Sequence, residues 1–593
     1  MSSASVLRLL SLSVCVAACV RDTASFIRVN QLGYRPDGPK VAVVCSLDDV
    51  GIAEFSVLDD RGRRVFGPAL AEPAGGFGPC AAVHRLDFTA LTRPGTYRVS
   101  AGGVRSRSFI VGREVYAGTA DTLLVYMRQQ RSGFNPVFND SVHHKTDGIV
   151  VDHPTLAGRF IPVAGGWADA ADYLQYVTTS AHATFSLLIA YRDHPSAFAD
   201  RHQANGLPGS NGVADVLDEA RHGLEWLSRM FPGDGTVFNQ LGDDRDHVFW
   251  DLPTTDSSDY GWGRGGPRPV YPCTGKPQGL LEYKNRSTGI ASTAGKLASA
   301  FALGAQLLAD RDLAFADTLR AKALAAYAIG LTHPGVCQTA PARAPYFYEE
   351  DNWVDDMELA GIELYALTGD SRYLEDAIAF AGEEPVTPWM GADTARHYQW
   401  FPWHNYGHFE VWRGGTAEAG RVMLEYYRRG LDAVATRADN GFRVGIPFIW
   451  CSNNLMASFA TQALLYRRMS GDGTYRELEA AALDWLFGVN PWGVSMVIGL
   501  PADGVYPRDP HSTVARDLGL QLTGGLVDGP VYRSIFENLR GITLYGGDEY
   551  ARFNTGRIVY HDDIGDYSTN EPIMDGTANL AYVLAAAGTL DRF

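Results

Sequence analysis

Two groups of carboxylates stand out by type and spacing. Asp169 and Asp172 lie three positions apart in "GGWADAADYLQYV" (residues 165–177), and Asp562, Asp563, Asp566 and Glu571 cluster in "YHDDIGDYSTNEPIMDG" near the C-terminus. Paired carboxylates can do general acid–base work when one is protonated and the other ionised. Two aspartates three residues apart cannot both flank one bond, but they can share a water and leave the acid to a distant segment. The competing local reading is helix capping, because a run of apolar residues at helical spacing follows and a carboxylate accepts from the free N–H groups of a first turn. A third polar stretch, residues 489–517, contains His511. If all three segments meet, they form a pocket with paired carboxylates.

The chain of 593 residues must fold so that these segments meet, and it is long enough for two domains. Residues 26–112 read as short alternating strands ("KVAVVCS", "AEFSVLD", "GTYRVSAGG") broken by Gly, Pro and Asp turns, which predicts a small all-β sandwich. From residue 115 to 593 the period changes to 3.6, with Leu174, Val177, Ala181, Phe185 and Leu188 on one helical face. Gly–Asp punctuation at 369–370 and 471–472 predicts tight helical hairpins, and this length holds roughly a dozen helices as a toroid of hairpins. The connections 241–285 and 394–415 are long, aromatic and rich in Gly or Pro, as functional loops are. Trp353, Trp400, Trp403 and Tyr406, on or beside such loops, are candidate sugar platforms.

A net charge of −17 excludes a nucleic-acid partner that relies on a basic stripe. The first nineteen residues, "MSSASVLRLLSLSVCVAAC", combine one Arg, an apolar stretch and small residues, an export signal too short to span a membrane once mature. "VAAC" resembles a bacterial lipobox, which would place a lipid on Cys19 and tether an exported protein to a membrane, with the outer membrane as the expected location. The remaining cysteines show no C-x-x-C spacing; Cys45 and Cys80 could pair, but buried free thiols are the expected state.

Taken together, the motifs resemble those of glycoside hydrolase family 9. "FIRVNQLGYRPDGPKVAVV" is similar to the immunoglobulin-like domain that precedes many members, and "GGWADAADYLQYV" to the family's first acidic motif. "LDWLFGVNPWGVSMVIG" resembles its Asn-Pro segment and "GDYSTNEPIMDGTANLAYVLA" its closing acid and helix. The resemblance implies a mainly α fold, an (α/α)6 barrel behind a small immunoglobulin-like sandwich, and inverting hydrolysis of β-1,4-glucan without an organic cofactor. It makes Asp172 the base, Asp169 its water-positioning partner and Glu571 the acid, with His511 and Asp566 near the substrate.

Three departures qualify what is carried across. Ala171 stands where the family has Gly; the family's Pro-His-His-Arg reads "PHST" here; and Ser132 replaces a cysteine of the zinc site that some members carry, leaving His143 and His144. Zinc is therefore doubtful, and calcium stays open. An exo-acting β-glucosidase or exo-β-D-glucosaminidase on short oligosaccharides is the alternative enzyme reading. A non-catalytic glycan-binding lipoprotein is the alternative of another class, but it would be marked by loss of Asp172 or Glu571, and both are present.

Overall fold

The computed structural model describes residues 24–143, 147–248 and 250–589, so Cys19 and His144 lie outside them. The N-terminal sandwich has strands β1 (Ser25–Arg28), β2 (Val41–Ser46), β3 (Glu54–Asp59), β4 (Arg64–Leu70), β5 (Glu72–Pro73), β6 (Ala82–Asp87), β7 (Gly95–Ala101), β8 (Val104–Arg105) and β9 (Phe109–Val111). One sheet runs β1-β2-β6-β5, and the other runs β4-β3-β7-β8 with β9 also on β7. The nearly continuous apolar run of β2 follows from burial on both faces. Ala42 and Val44 enter the sandwich core, whereas Val43 and Cys45 alternate outward into the core of the helical domain. Polar contacts fix the same junction: Asn30 Nδ2 donates to Asp484 Oδ1 at 2.7 Å, and Gln31 N–H donates to the Phe487 carbonyl at 2.8 Å.

Fifteen α-helices follow among the described residues, three of them only five or six residues long. The twelve longer ones (15 − 3) are α1 (Thr119–Gln129), α2 (Val177–Asp193), α3 (Asp215–Met230), α4 (Ala291–Leu308), α5 (Leu313–Thr332), α6 (Val354–Thr368), α7 (Ser371–Glu383), α8 (Tyr406–Gly414), α9 (Ala417–Arg437), α10 (Ser452–Ser470), α11 (Arg476–Leu486) and α12 (Met574–Gly588). Helices α2, α4, α6, α8, α10 and α12 pack in that order into a closed inner ring. Each has an outer partner, α3, α5, α7, α9, α11 and α1 respectively, so the domain is an (α/α)6 barrel. Sequence separates the two rings, since a helix surrounded by neighbours must be apolar or internally satisfied all round, whereas an outer helix needs one apolar stripe. On α2 every residue from Val177 to Ala190 is buried, and Thr184 Oγ1 returns its hydrogen bond to the Ser180 carbonyl. On α7 only Leu374, Ala377 and Ala381 are buried.

The Gly–Asp punctuation forms the hairpins. Gly369 ends α6 in the left-handed region at φ 75°, and Asp370 caps α7 by accepting from Arg372 N–H. Gly471 ends α10 in the same way, but Asp472 serves the turn before α11, accepting from Thr474 N–H at 2.9 Å.

The cysteine expectation is corrected. Cys45 bonds to Cys80 and Cys273 to Cys337, leaving only Cys451 as a free cysteine among the described residues. Chain separations of 35 and 64 residues carry no distance information, yet the fold brings the Cα atoms to 5.0 and 5.7 Å.

Candidate active site

The first acidic motif is built on a tryptophan. Trp167 is fully buried and its indole donates to Glu219 Oε1 at 2.8 Å, while Glu219 also holds Arg131. The preceding Gly166 has φ 76°, and a Cβ there would lie 2.6 Å from the Trp226 ring, so glycine is required by conformation and by space. Downstream, Gln175–Tyr176 pairs with the strand Phe238–Leu241, and α2 begins only at Val177. The side chains of Asp169 and Asp172 therefore do not cap that helix, and the local capping reading is set aside. Asp172 Oδ1 instead accepts from Leu174 N–H at 3.0 Å, closing a short turn.

Arg268 clamps this turn from beneath. Fully buried, it pairs with Asp147 at 2.8 Å and donates to the Tyr173 carbonyl and to Gln175 Oε1, both at 2.6 Å. Breaking one partner of a buried pair of this kind costs about 3–5 kcal/mol, so the turn is held stiffly.

The C-terminal acid meets this motif directly. Glu571 Oε1 accepts from Ala171 N–H at 2.9 Å, and the first N–H of α12, that of Met574, donates to the Asp169 carbonyl at 2.9 Å. Asp169 is buried with both carboxylate oxygens occupied, Oδ1 by Thr179 Oγ1 at 2.6 Å and Oδ2 by the Tyr348 hydroxyl. Asp172 is more open, its side chain 23% exposed, and its Oδ2 lies 3.7 Å from His247 Nε2.

The groups are electrostatically unlike. Burial, with the charges of Asp172 and Asp528 added, pushes the Glu571 carboxyl well above its ordinary value. Burial and the neighbouring Asp575 and Asp172 push Asp169 up as well. At His247 desolvation opposes the charge, but Asp246 and Asp172 outweigh it and raise the imidazole to about 9. Glu571, Asp172 and His247 thus share one cavity of ≈410 Å³, the size of a small-ligand pocket. A larger cavity, ≈510 Å³, lies between the two domains, but its carboxylates are bound within the protein: Asp37 by Arg35, Glu479 by Arg467 and Asp484 by Asn30.

The sequence profile of glycosyl hydrolase family 9 matches residues 116–584, most of the chain. The chain belongs to glycosyl hydrolase family 9. Residues 22–106 match the cellulase N-terminal immunoglobulin-like domain. Among family 9 relatives, Endoglucanase C of Cellulomonas fimi is 28% identical over 95% of this chain, which spans about half (52%) of that protein's length. A xyloglucan-specific endo-beta-1,4-glucanase of Bacteroides ovatus is 26% identical over 88% of this chain and 89% of its own. The crystal structure of a metagenome-derived family 9 endoglucanase superposes with a TM-score of 0.75 at 29% identity, covering 95% of this chain and 99% of that one.

In this family 9 chain His511 lines the cavity. It stacks on Trp250 with ring centroids 4.6 Å apart, and burial lowers it to about 4, so it is neutral near pH 7. Asp566 does not reach the cavity. It is fully buried, and although burial opposes its charge, hydrogen bonds from His561, Ser568 and Thr569 hold it below its ordinary value, so that it organises the turn ahead of Glu571.

Two of the four aromatics named from loop position are corrected. Trp403 and Tyr406 are buried in the main core, and Tyr406 stacks on His404. Trp400 and Trp353 are half-buried against that core, Trp353 edge-on to Phe380. The aromatic walls are Trp250, Tyr346, Tyr348, Trp450 and Tyr567, which sequence reasoning missed.

It also missed Asp528, whose Oδ2 accepts from Trp450 Nε1 at 2.8 Å and whose N–H donates to the Glu571 carbonyl at 2.9 Å. The signal was an Asp inside the apolar run "GGLVDGPVY", next to the acid only in space. Ser132 is tied to Gly166 and His143 lies against the Tyr173 ring; among the described residues no three His, Cys, Asp or Glu side chains converge as a metal site.

Proposed function

We propose that this protein hydrolyses β-1,4-glucosidic bonds of cellulose-like β-glucans with inversion at the anomeric carbon. Glu571 protonates the leaving oxygen, Asp172 takes the proton of the attacking water, and Asp169 fixes the geometry beside it. The observation that carries the reading is the contrast across one cavity between the buried Glu571 carboxyl, pushed well above its ordinary value, and the more open Asp172, whose Oδ2 has no hydrogen-bond donor and lies 3.7 Å from His247 Nε2. Asp169 is less suited to be the base, because hydroxyl groups occupy both of its oxygens. The aromatic walls supply the flat apolar faces on which sugar rings stack, and the reaction needs no organic cofactor. The endoglucanase names of the relatives support a glucan over other glycans.

Proton NMR of the first turnovers on cello-oligosaccharides tests this. The α-anomer is expected first, and an initial β-anomer would overturn the inverting assignment.

We further propose that the protein is exported and lipid-anchored through Cys19, with no other membrane attachment and no nucleic-acid partner. Two disulfides suit an oxidising compartment, and among the described residues no helix is long and apolar enough to cross a membrane. In cells fed labelled palmitate the wild type should carry label and fractionate with membranes, while Cys19→Ala carries none. A labelled Cys19→Ala would sink the anchor.

A further inference from the structure

After the short helix Arg533–Asn538 the chain returns to the cavity, which Arg540, Gly541 and Tyr545 line. Tyr545 is 73% exposed, the most exposed aromatic side chain among the described residues, so it stands where the cavity opens to solvent. A lone exposed aromatic needs no explanation in itself, but this one is held in place. Asp563 ties its segment to the loop that ends in Glu571, accepting from Gly546 N–H at 2.6 Å through Oδ2 and from Gly565 N–H at 2.7 Å through Oδ1. The Tyr567 hydroxyl donates to the Arg540 carbonyl at 2.7 Å, fixing the segment's other end on the same loop. The ring itself lies against that loop: a Cβ at Gly565 would come 3.0 Å from Tyr545 Cδ2 and 1.7 Å from the Thr543 carbonyl oxygen, so only glycine leaves room for it.

We propose that Tyr545 is a sugar platform at the mouth of the cavity, an additional subsite on which a β-glucan chain too long for the cavity lays one more ring. The inference rests on the glucan reading above and concerns the part of that substrate met outside the cavity. A pocket of ≈410 Å³ is of small-ligand size, so a chain of several glucosyl units bound at Asp172 and Glu571 has to leave it at an opening. Tyr545 stands at such an opening, and its continuity with the catalytic cavity selects the glucan chain as its occupant. A pyranose ring offers an apolar C–H face that stacks on an aromatic one, and a tyrosine already fixed by its backbone gives up little freedom to make the contact. Placed away from the reacting groups, Tyr545 adds binding and not chemistry, so its contribution grows with chain length and is absent from substrates too short to reach it.

The test measures KM and kcat on a ladder of cello-oligosaccharides up to cellohexaose, with wild type, Tyr545→Ala and Tyr545→Phe. In Tyr545→Ala the KM for cellohexaose should rise about tenfold, the size of one aromatic stacking contact with the apolar area it buries, while kcat holds, as when uniform binding is lost. The increase should shrink as the oligosaccharide shortens. Tyr545→Phe, which keeps the flat face, should recover most of the loss. A KM increase of the same size at every chain length would mark a structural role and overturn the platform. So would wild-type kinetics of Tyr545→Ala on cellohexaose, or a loss in Tyr545→Phe equal to that in Tyr545→Ala, which would assign the contact to the hydroxyl. Each of these results leaves the glucan reading intact. Failure of the wild type to cleave any member of the ladder would overturn that reading, and the platform with it.

Discussion

Glu571→Gln should lower kcat on unactivated cello-oligosaccharides by about 10²–10⁴, the usual contribution of a positioned proton donor. Glutamine keeps the oxygen that accepts from Ala171 N–H, so the junction between the two motifs survives and the loss reports on the proton. Two readouts separate this from a structural role. An aryl glycoside whose phenol departs without a proton should lose far less activity. The pH profile should change in a direction that the electrostatics dictates. Glu571 works protonated, and its value is raised in the folded protein by burial and by the charges of Asp172 and Asp528, so wild-type activity holds at lower pH and falls as pH climbs through the raised value. The variant should lack that alkaline limb.

The same linkage acts on stability. A carboxyl raised on folding contributes most below its unfolded value near 4.5, and the contribution is lost as pH rises through the folded value. The Gln variant should therefore lose less Tm than wild type between acid and alkaline pH. An unaltered alkaline limb in Glu571→Gln would remove Glu571 from the acid role.

How far such a site can be read from sequence depends on what holds each residue. Asp169, Asp172 and Glu571 were legible because their motifs carry structural residues of restricted type around them. Gly166 is demanded by a positive φ, Trp167 by a buried bond to Glu219, and Asp566 by a turn with three donors. A toroid of helical hairpins was legible from the 3.6 period and the Gly–Asp punctuation, whereas the six-by-six barrel was carried by the resemblance to family 9. Two other features were not. An aromatic in a long loop reads alike whether it faces inward, as Trp403 does, or lines a cleft, as Trp450 does. Likewise Tyr348 reaches Asp169, and Asp528 reaches Glu571, only through packing of distant segments, for which one sequence carries no local signal. The Cys273–Cys337 disulfide was missed for the same reason, and the Cys45–Cys80 pairing was open in the sequence but not the expected state.

Asp172→Asn carries the second large effect, and it distinguishes the two halves of the site. Removing a base that activates water should also cost about 10²–10⁴ in kcat, with KM little changed because proton transfer belongs to the transition state. Asparagine retains an oxygen to accept from Leu174 N–H, and the Arg268 clamp on the Tyr173 carbonyl and Gln175 is untouched, so the turn keeps its shape. An anionic nucleophile needs no base. Added azide should therefore restore turnover in Asp172→Asn and yield the α-glycosyl azide, while Glu571→Gln, still lacking its proton donor, gains nothing on the same substrate. The neighbouring His247 supports this expectation: raised to about 9 and 3.7 Å from Asp172 Oδ2, it leaves a positive charge facing the space where the anion must bind. In Asp172→Asn the imidazole keeps Asp246 but loses the support of Asp172, so its charge is lost, and azide rescue should weaken, at a pH below the wild-type value of about 9. Full activity of Asp172→Asn without azide, or equal rescue of both variants, would show that the water is activated by another group.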